Sequence, residues 1–199
     1  DTALERGTEI HIMEFIKDPY GIPYIPGTSL KGMLRTILLA DDILMHEEKY
    51  AASKNQFNLN IRENARRNTF LIRDQKKIES IAFCSLNRVN TKPNDAVNDI
   101  MSGVIISDSK PISIENITLC QRIEKHVDGE EKKLNVLREC IKPDVKLIFD
   151  LTIDSSVCPF DIKTIMSAVN RFDESYYSNF ANVFPNTDLT HDTIYLGGG

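Results

Sequence analysis

The sequence of 199 residues predicts an α+β fold in which helices lie on one face of an antiparallel sheet. Short stretches of alternating apolar residues predict strands, and two stretches with apolar residues at helical spacing predict amphipathic helices. The two kinds of element do not alternate as they do in a Rossmann-type sheet, and no internal repeat is visible. We therefore interpret residues 1–199 as one domain with an insertion at about residues 41–103.

The first elements are a strand, a turn and a helix. Residues 10–16 alternate and predict a strand, and Pro and Gly within residues 18–21 predict a reversal of the chain. Residues 24–26 are expected to be extended, because the residue before a proline is kept out of the helical region. The apolar spacing predicts a helix over residues 29–39, for which Thr28 or Ser29 is a natural N-cap.

The middle of the chain is expected to be less regular. Residues 41–55 look helical but polar, and residues 57–92 lack sustained periodicity, which indicates a long insertion or flexible loop. Residues 95–101 predict a short helix. Residues 104–106 predict a strand that ends at a polar turn formed by Ser107, Asp108 and Ser109.

The last third contains the best-defined strand of the sequence, residues 145–153, with Lys146 and Asp150 facing away from the core. Residues 117–123 predict another strand, followed by a charged hairpin tip over residues 127–133 with the turn dipeptide Asp128-Gly129. Residues 160–180 predict a second amphipathic helix. Residues 194–196 predict a short strand that leads into three glycines.

Composition narrows the class of protein. No stretch approaches the roughly 20 apolar residues that span a membrane, and no signal peptide opens the sequence, so we expect a cytoplasmic protein without a membrane partner. The chain has no initiator Met and stops within a glycine run, which indicates a fragment of a longer protein. The cysteines lack a C-x-x-C pair, which favours buried free thiols over a zinc site, and we expect no metal and no cofactor. These cysteines are Cys84, Cys120, Cys140 and Cys158.

Charge is distributed unevenly along the chain. The net charge of −5 argues against a protein that coats nucleic acid non-specifically. Residues 62–92 nevertheless carry eight cations and three anions, a net charge of +5, which leaves −10 for the remainder. This asymmetry suits a protein that holds RNA on one side and protein partners elsewhere. A solvated basic loop without a ligand explains the same charges.

The sharpest functional signal is I-P-G-T-S-L-K-G-M-L-R, residues 25–35. A glycine-containing loop presents free backbone N–H groups at a helix N-terminus, whose partial positive charge suits a phosphate. Lys31 and Arg35 share one helical face, and Gly32 leaves room for a close approach. Lys31 precedes the second glycine, so the segment is not a Walker A loop. A surface helix with ordinary caps and two solvated cations is the alternative.

Residues 24–36, Y-I-P-G-T-S-L-K-G-M-L-R-T, resemble the signature of the RAMP superfamily of CRISPR-associated proteins, whose fold is built on ferredoxin-like, RRM-type modules. Three further segments are similar to the fifth-subunit family of type III-A Csm effector complexes. They are V-I-I-S-D-S-K-P-I at residues 104–112, N-V-L-R-E-C-I-K-P-D-V-K-L-I-F-D-L-T-I-D at 135–154, and I-Y-L-G-G-G at 194–199. The N-terminal strand region of that family is missing or short, residues 62–92 match none of its segments, and the K-T end of its glycine loop lies beyond Gly199.

The resemblance implies a non-catalytic, crRNA-binding subunit of an antiviral ribonucleoprotein. It would cap the filament of backbone subunits at the crRNA 3′ end, assist crRNA maturation, and bind the RNA backbone indifferently to base sequence. Its partners would be crRNA, the other Csm subunits, especially the backbone RAMP subunit, and host nucleases that trim the 3′ end. The implied RNA-binding residues are Gly27, Thr28, Ser29, Lys31, Gly32 and Arg35, with Gly197, Gly198 and Gly199 beside them. Ser107 and Ser109 are further candidates to donate hydrogen bonds to phosphate or ribose, and a plain capping turn explains them equally.

Two other functions stay open at this point. One is a RAMP backbone subunit that cleaves target RNA with a metal ion and a loop aspartate, for which Asp1 and Asp18 are candidates, although Asp18 lies in a Pro-Gly turn. The other is a capping scaffold that contacts only proteins. A metal-independent ribonuclease needs a His or Lys acid–base pair, and no two histidines are adjacent, so we expect no catalytic residues. The histidines are His11, His46, His126 and His191.

Overall fold

The computed structural model describes residues 9–63, 66–185 and 193–196, and within them the chain forms five β-strands and four α-helices. The contacts divide the chain into two units. The first contains residues 1–30, 106–150 and 173–191, and the second contains residues 31–105, 151–172 and 192–199. A mixed α and β architecture is therefore confirmed, and the predicted insertion at 41–103 lies within the second unit. The interpretation of the chain as one domain stays a prediction.

The first unit is built on a three-stranded sheet with the order β1-β4-β3. Strands β3 (Ile117–Lys125) and β4 (Glu131–Ile141) are antiparallel, and β1 (His11–Met13) pairs with β4 in parallel. The turn between β3 and β4 contains Gly129, whose φ of +90° favours glycine. The predicted hairpin tip is therefore confirmed.

The predicted reversal at residues 18–21 is also confirmed. The Asp18 carboxylate accepts hydrogen bonds from the N–H groups of Tyr20 at 2.8 Å and Ile22 at 2.9 Å. Gly21 has a φ of +80°, and an isolated bridge pairs Lys17 with Pro23. The Asp18 side chain thus organises the turn.

The second unit contains most of the helices. Helix α1 (Gly27–Met45) begins in the first unit and is followed by α2 (Glu47–Arg62) and α3 (Arg67–Phe83). Strands β2 (Val104–Ile106) and β5 (Leu151–Ile153) form a two-stranded sheet, and α4 (Ile162–Asn179) follows. The buried apolar side chains of this unit include Ile37, Leu38, Phe83, Met101, Val104, Ile165 and Ala168. Every described helix is too short or too polar to cross a lipid bilayer.

Two helical predictions are confirmed with shifted ends. Helix α1 begins two residues before the predicted start and runs six residues past the predicted end, and α4 lies within the predicted residues 160–180. The predicted short helix at residues 95–101 is present as two 3₁₀ turns, Ala96–Asn98 and Ile100–Gly103. The N-cap prediction is wrong, because Thr28 and Ser29 lie inside α1.

The prediction of a long loop over residues 57–92 is wrong for most of its length, since α2 and α3 occupy it as far as Phe83. The helices lack an apolar signature because polar side chains are buried in them. Asn60 donates to Asp74 across α2 and α3 at 3.1 Å, and both residues are buried, as is Ser53. A sequence pattern that counts apolar residues therefore misses these helices.

The sheet differs from the prediction in three places. The pairing of β1 with β4 is parallel, and β4 covers residues 134–141, where no strand is predicted. Of the predicted strand over residues 145–153, only β5 is regular, although the Ile148 carbonyl accepts a hydrogen bond from the Lys110 N–H. The described residues 193–196 form no strand.

Candidate nucleic-acid interface

The start of α1 is held by the Ser107-Asp108-Ser109 segment within the first unit. The Gly27 N–H donates to Asp108 Oδ1 at 2.8 Å. Next to this bond, Ile25 and Ser109 form two hydrogen bonds of 2.9 Å. The Ile25 N–H donates to Ser109 Oγ, and the Ser109 N–H donates to the Ile25 carbonyl. Two motifs that lie about 80 residues apart in the sequence thus form one local structure.

Gly27 is required by this packing. A Cβ atom on Gly27 would lie 2.3 Å from the Ile106 carbonyl oxygen and 2.4 Å from the Ser107 carbonyl oxygen, much closer than carbon and oxygen approach without bonding. Both neighbours are backbone atoms and have no alternative rotamer. Any side chain at this position therefore displaces the 106–107 segment from the start of α1.

The expectation of several free backbone N–H groups at this helix end is wrong. The Gly27 N–H is bound by Asp108, the Ser29 N–H donates to the Pro26 carbonyl at 3.0 Å, and Pro26 has no N–H. The Thr28 N–H has no hydrogen-bond partner among the described residues. Because the Asp108 carboxylate already satisfies the first amide and carries a negative charge, it repels a phosphate from the helix end.

The exposed surface of the first turns of α1 carries small side chains. Thr28, Ser29, Gly32 and Thr36 are all exposed, and positions 28, 32 and 36 share one face of the helix. The Thr36 hydroxyl donates to the Gly32 carbonyl at 3.1 Å. Apart from the adjoining residues and the backbone of α1 itself, no described atom lies within 4 Å of the position that a Cβ on Gly32 would take. This face therefore offers hydroxyl groups beside open space.

Arg35 is not the free cation that the motif suggests. Its Nε donates to Glu79 at 3.1 Å and its Nη1 to Asp99 at 2.7 Å, within the second unit. The guanidinium lies 4.3 Å from the centroid of the Phe83 ring, and the side chain is 27% exposed. These contacts connect α1 to α3 and to the 3₁₀ turns, so Arg35 stabilises the packing of the second unit.

Lys31 is half-buried like Arg35, but it forms no ion pair with a described residue. Its ammonium group lies close enough to Cys158 to influence the thiol. Burial raises the pKa of Cys158, and a hydrogen bond from the Phe160 N–H and the positive charge of Lys31 partly oppose that rise. Lys31 is thus the available cation of the motif.

The hydroxyls of Ser107 and Ser109 are engaged within the first unit. Ser107 Oγ donates to the Asp108 carbonyl at 2.8 Å and accepts from the Asp150 N–H at 2.9 Å. Ser109 Oγ accepts from Ile25 and donates to the Lys110 carbonyl at 3.0 Å. The geometry favours the capping alternative for both serines. Gly197, Gly198 and Gly199 lie outside the described residues.

The described residues contain no cluster of three or more His, Cys, Asp or Glu side chains that could hold a metal ion. Asp18 has the structural role given above, and His46, between α1 and α2, places its Nδ1 3.0 Å from Asp42 Oδ1. Asp1 and His191 lie outside the described residues. The prediction of buried thiols holds for Cys158, whereas Cys120 is exposed and Cys84 and Cys140 are half-buried.

The role of Asp108 is not evident from the sequence, in which it is the centre of a polar turn. Asp108 provides the cap that is predicted for Thr28 or Ser29. The signal for this role is a single Asp in a polar Ser-Asp-Ser turn of a chain whose first helix has no acidic residue in its first turn. Glu79 and Asp99 were missed as partners of Arg35 for lack of any local signal.

The chain matches the family model described as the RAMP superfamily over residues 6–189. A Mycobacterium tuberculosis protein (strain H37Rv) named CRISPR system Cms protein Csm5 is 28% identical over 200 residues, covering 96% of this chain and 50% of that protein. A Streptococcus thermophilus protein of the same name is 27% identical over 192 residues, covering 94% and 48%. The chain spans about half the length of the curated relatives that it matches.

Two solved structures share the fold. The crystal structure of T. onnurineus Csm5 aligns with a TM-score of 0.63 at 20% identity, over 94% of this chain and 64% of that chain. A chain in the cryo-EM structure of a Csm-crRNA-target RNA ternary complex of a type III-A CRISPR-Cas system aligns with a TM-score of 0.59 at 20% identity, over 88% and 54%. These alignments confirm the predicted fold class.

Proposed function

The chain belongs to the RAMP superfamily, and on that basis we propose that it is the non-catalytic subunit that binds crRNA and caps a type III-A Csm complex at the crRNA 3′ end. The names of the relatives and the complex in which one structural neighbour was solved support this assignment. The proposed partners are crRNA and the other Csm subunits, above all the backbone RAMP subunit. The proposed role includes assistance in crRNA maturation, although nothing in the relatives' names points to host nucleases as partners.

The observation that carries the proposal is the exposed glycine within α1. Glycine in a helix interior costs about 0.5–1 kcal/mol relative to alanine. Packing within the described protein does not explain this glycine, because no side chain from another element lies within 4 Å of its Cβ position. We infer that the space serves a ligand backbone that approaches the helix closely. The hydroxyls of Thr28 and Ser29 flank this position and donate to phosphate oxygens without reading bases.

The contact differs from the one that the sequence motif suggests. A phosphate lies along the exposed face of the first two turns of α1, and not at its end, because Asp108 occupies the first amide. Lys31 supplies the positive charge there. Arg35 acts by holding α1 against Glu79 and Asp99, so its role is positioning.

The proposal is tested by changing Lys31 alone. Loss of one phosphate contact to single-stranded RNA lowers the salt slope of binding by about 0.7, equivalent to roughly fivefold weaker binding at 0.1 M salt. We expect Lys31→Ala to show both effects in filter binding of a mature crRNA by the 199-residue chain. Lys142→Ala, which removes an equally unpaired charge in the first unit, is the matched control. A salt slope equal to that of the unmodified chain contradicts the proposed contact.

A protein-only scaffold is the second candidate, because the open space at Gly32 suits the close approach of another polypeptide equally well. This function predicts that the purified chain fails to bind crRNA at any salt concentration but is incorporated when the other Csm subunits are present. The remaining alternative, metal-dependent cleavage of target RNA, is tested by incubating the chain with labelled target RNA with and without Mg²⁺. Intact RNA in both conditions is the expected outcome.

A further inference from the structure

The connection between α2 and α3 and the outer surface of α3 carry an excess of positive charge. Residues 62–77 contain six cations and two anions, a net charge of +4 in a chain whose total is −5. One of the two anions, Asp74, is 6% exposed and faces the interior, where it accepts a hydrogen bond from Asn60. Glu63 is therefore the single acidic side chain that this stretch exposes among its described residues.

The cations are grouped and largely unpaired. Arg73, Lys76 and Lys77 have the spacing i, i+3 and i+4, so they share one face of α3. Arg62 ends α2 and Arg66 precedes α3, and all five side chains are exposed. The one ion pair found for them among the described residues joins Arg73 to Asp74 at 3.6 Å. We name Arg73, Lys76 and Lys77 the basic face.

Internal contacts hold α3 in place beneath this face. Asn60 links it to α2, and Arg35 links it to α1 through Glu79. Phe83, at the end of α3, is 1% exposed. Since the helix is fixed by buried side chains, its cations are presented without a cost for ordering the backbone on binding.

We propose that the basic face binds the phosphate backbone of single-stranded RNA, as a second contact on the RNA strand held along α1. This inference rests on the proposed function. Charge complementarity favours RNA as the occupant, because unpaired exposed cations attract phosphates and release counterions when they bind them. Exposed Ile72, 58% accessible and four residues before Lys76 on α3, lies beside the cations and provides apolar contact for ribose and bases. An acidic protein surface is the competing occupant, and the test separates the two.

The experiment compares two triple variants of the 199-residue chain. Arg73→Gln/Lys76→Gln/Lys77→Gln removes three cations from the basic face, and Lys132→Gln/Lys133→Gln/Lys142→Gln removes three exposed, unpaired cations from the first unit. Both variants change the net charge equally. The probe is a 40-nucleotide single-stranded RNA of mixed sequence, titrated from low to high salt. Thermal unfolding shows whether each variant is folded.

We expect the basic-face variant to lower the salt slope by about 2 and to weaken binding about 100-fold at 0.1 M salt, from three lost contacts at about 0.7 each. The control variant should change the affinity less than threefold. Equal losses in both variants overturn the inference, since net charge alone then explains the effect. Unchanged RNA binding together with loss of incorporation into the Csm complex also overturns it and identifies an acidic protein as the occupant.

The outcome also separates this inference from the proposed function. If Lys31→Ala weakens RNA binding and the basic-face variant does not, the proposed function stands and the second contact is refuted. If the unmodified chain binds no RNA, the proposed function fails for crRNA, and the second contact fails with it.

Discussion

Gly27 and Gly32 belong to one motif, yet the structure predicts opposite results when each is changed to alanine. A Cβ on Gly27 would lie 2.3 Å from the Ile106 carbonyl oxygen, so the backbone must move and the Asp108 cap is disturbed. Overpacking of this kind costs about 3 kcal/mol. A Cβ on Gly32 meets no described atom within 4 Å, so Gly32→Ala should stabilise α1 by about 0.5–1 kcal/mol.

The assay is thermal unfolding followed by circular dichroism. For a chain of this size 1 kcal/mol shifts the Tm by about 2–4 °C. We therefore expect Gly27→Ala to lower the Tm by roughly 10 °C and Gly32→Ala to raise it by about 2 °C. A Gly27→Ala variant as stable as the unmodified chain would refute the packing account of this glycine.

The ligand-facing role of Gly32 needs a larger side chain. Gly32→Gln should fold as well as Gly32→Ala, since the position is open, but it fills the space proposed for the RNA backbone. Loss of about 1.4 kcal/mol of binding free energy weakens crRNA affinity tenfold, and we expect at least that much. Wild-type crRNA affinity in a folded Gly32→Gln variant would show that the open space serves another purpose.

Three further predictions concern the Asp108 cap, the partners of Arg35, and the ion pair of Lys17 with Glu139 in the first unit. Asp108→Ala leaves the Gly27 N–H without its acceptor and should lower the free energy of unfolding in urea by about 1 kcal/mol, whereas Asp108→Asn, which keeps an acceptor oxygen, should lose less. Arg35→Met leaves Glu79 and Asp99 without their cation. It should lower the free energy of unfolding by about 2 kcal/mol, because these side chains are partly exposed, and any loss of crRNA affinity should accompany this loss of stability. A loss of affinity at unchanged stability would instead make Arg35 a contact residue. A hydrogen bond from Lys17 at 2.5 Å, together with one from the Phe15 N–H, lowers the pKa of Glu139 below its ordinary value of 4.5. The stabilisation from ionised Glu139 is therefore present above pH 4.5 and is lost as the pH falls through the folded-state pKa. In Glu139→Gln the free energy of unfolding, measured in urea between about pH 6 and pH 3, should therefore fall less with decreasing pH than it does in the unmodified chain.

The parts of the fold that the sequence predicts are those with local causes. The turn at residues 18–21 follows from an Asp, a Pro and a Gly within four residues, and the β3–β4 turn follows from Asp128-Gly129. Helices α1 and α4 follow from apolar residues at helical spacing. In each case the residues that determine the element lie inside it.

The parts that the sequence does not predict depend on distant contacts. Strand β4 lies between β1 and β3, and it begins with charged residues that carry no strand signal. Helices α2 and α3 bury Asn60 and Asp74 against each other, so the usual apolar stripe is replaced by a polar contact. Burial of a satisfied polar pair is invisible to a pattern based on hydrophobicity.

In the candidate site, too, the sequence predicts the features that have local causes and does not predict those that depend on distant contacts. The motif at residues 25–35 identifies the correct helix, but the role of Arg35 is decided by Glu79 and Asp99, which lie 44 and 64 residues away. The helix end is closed by Asp108, 81 residues from Gly27. Spacing within a motif shows which side chains share a face. It does not show which of them already have partners.

Loss of RNA binding after a change in this motif therefore has two physical meanings. Gly27, Arg35 and Asp108 determine where α1 lies, so their variants weaken binding through the position of the helix and lose stability as well. Lys31 and Gly32 have no structural partner among the described residues, so their variants should weaken binding while the protein stays at least as stable as before. Affinity and stability measured on the same variants distinguish the two groups. A Lys31→Ala variant that loses stability in step with affinity would move Lys31 into the first group and leave α1 without its proposed cation.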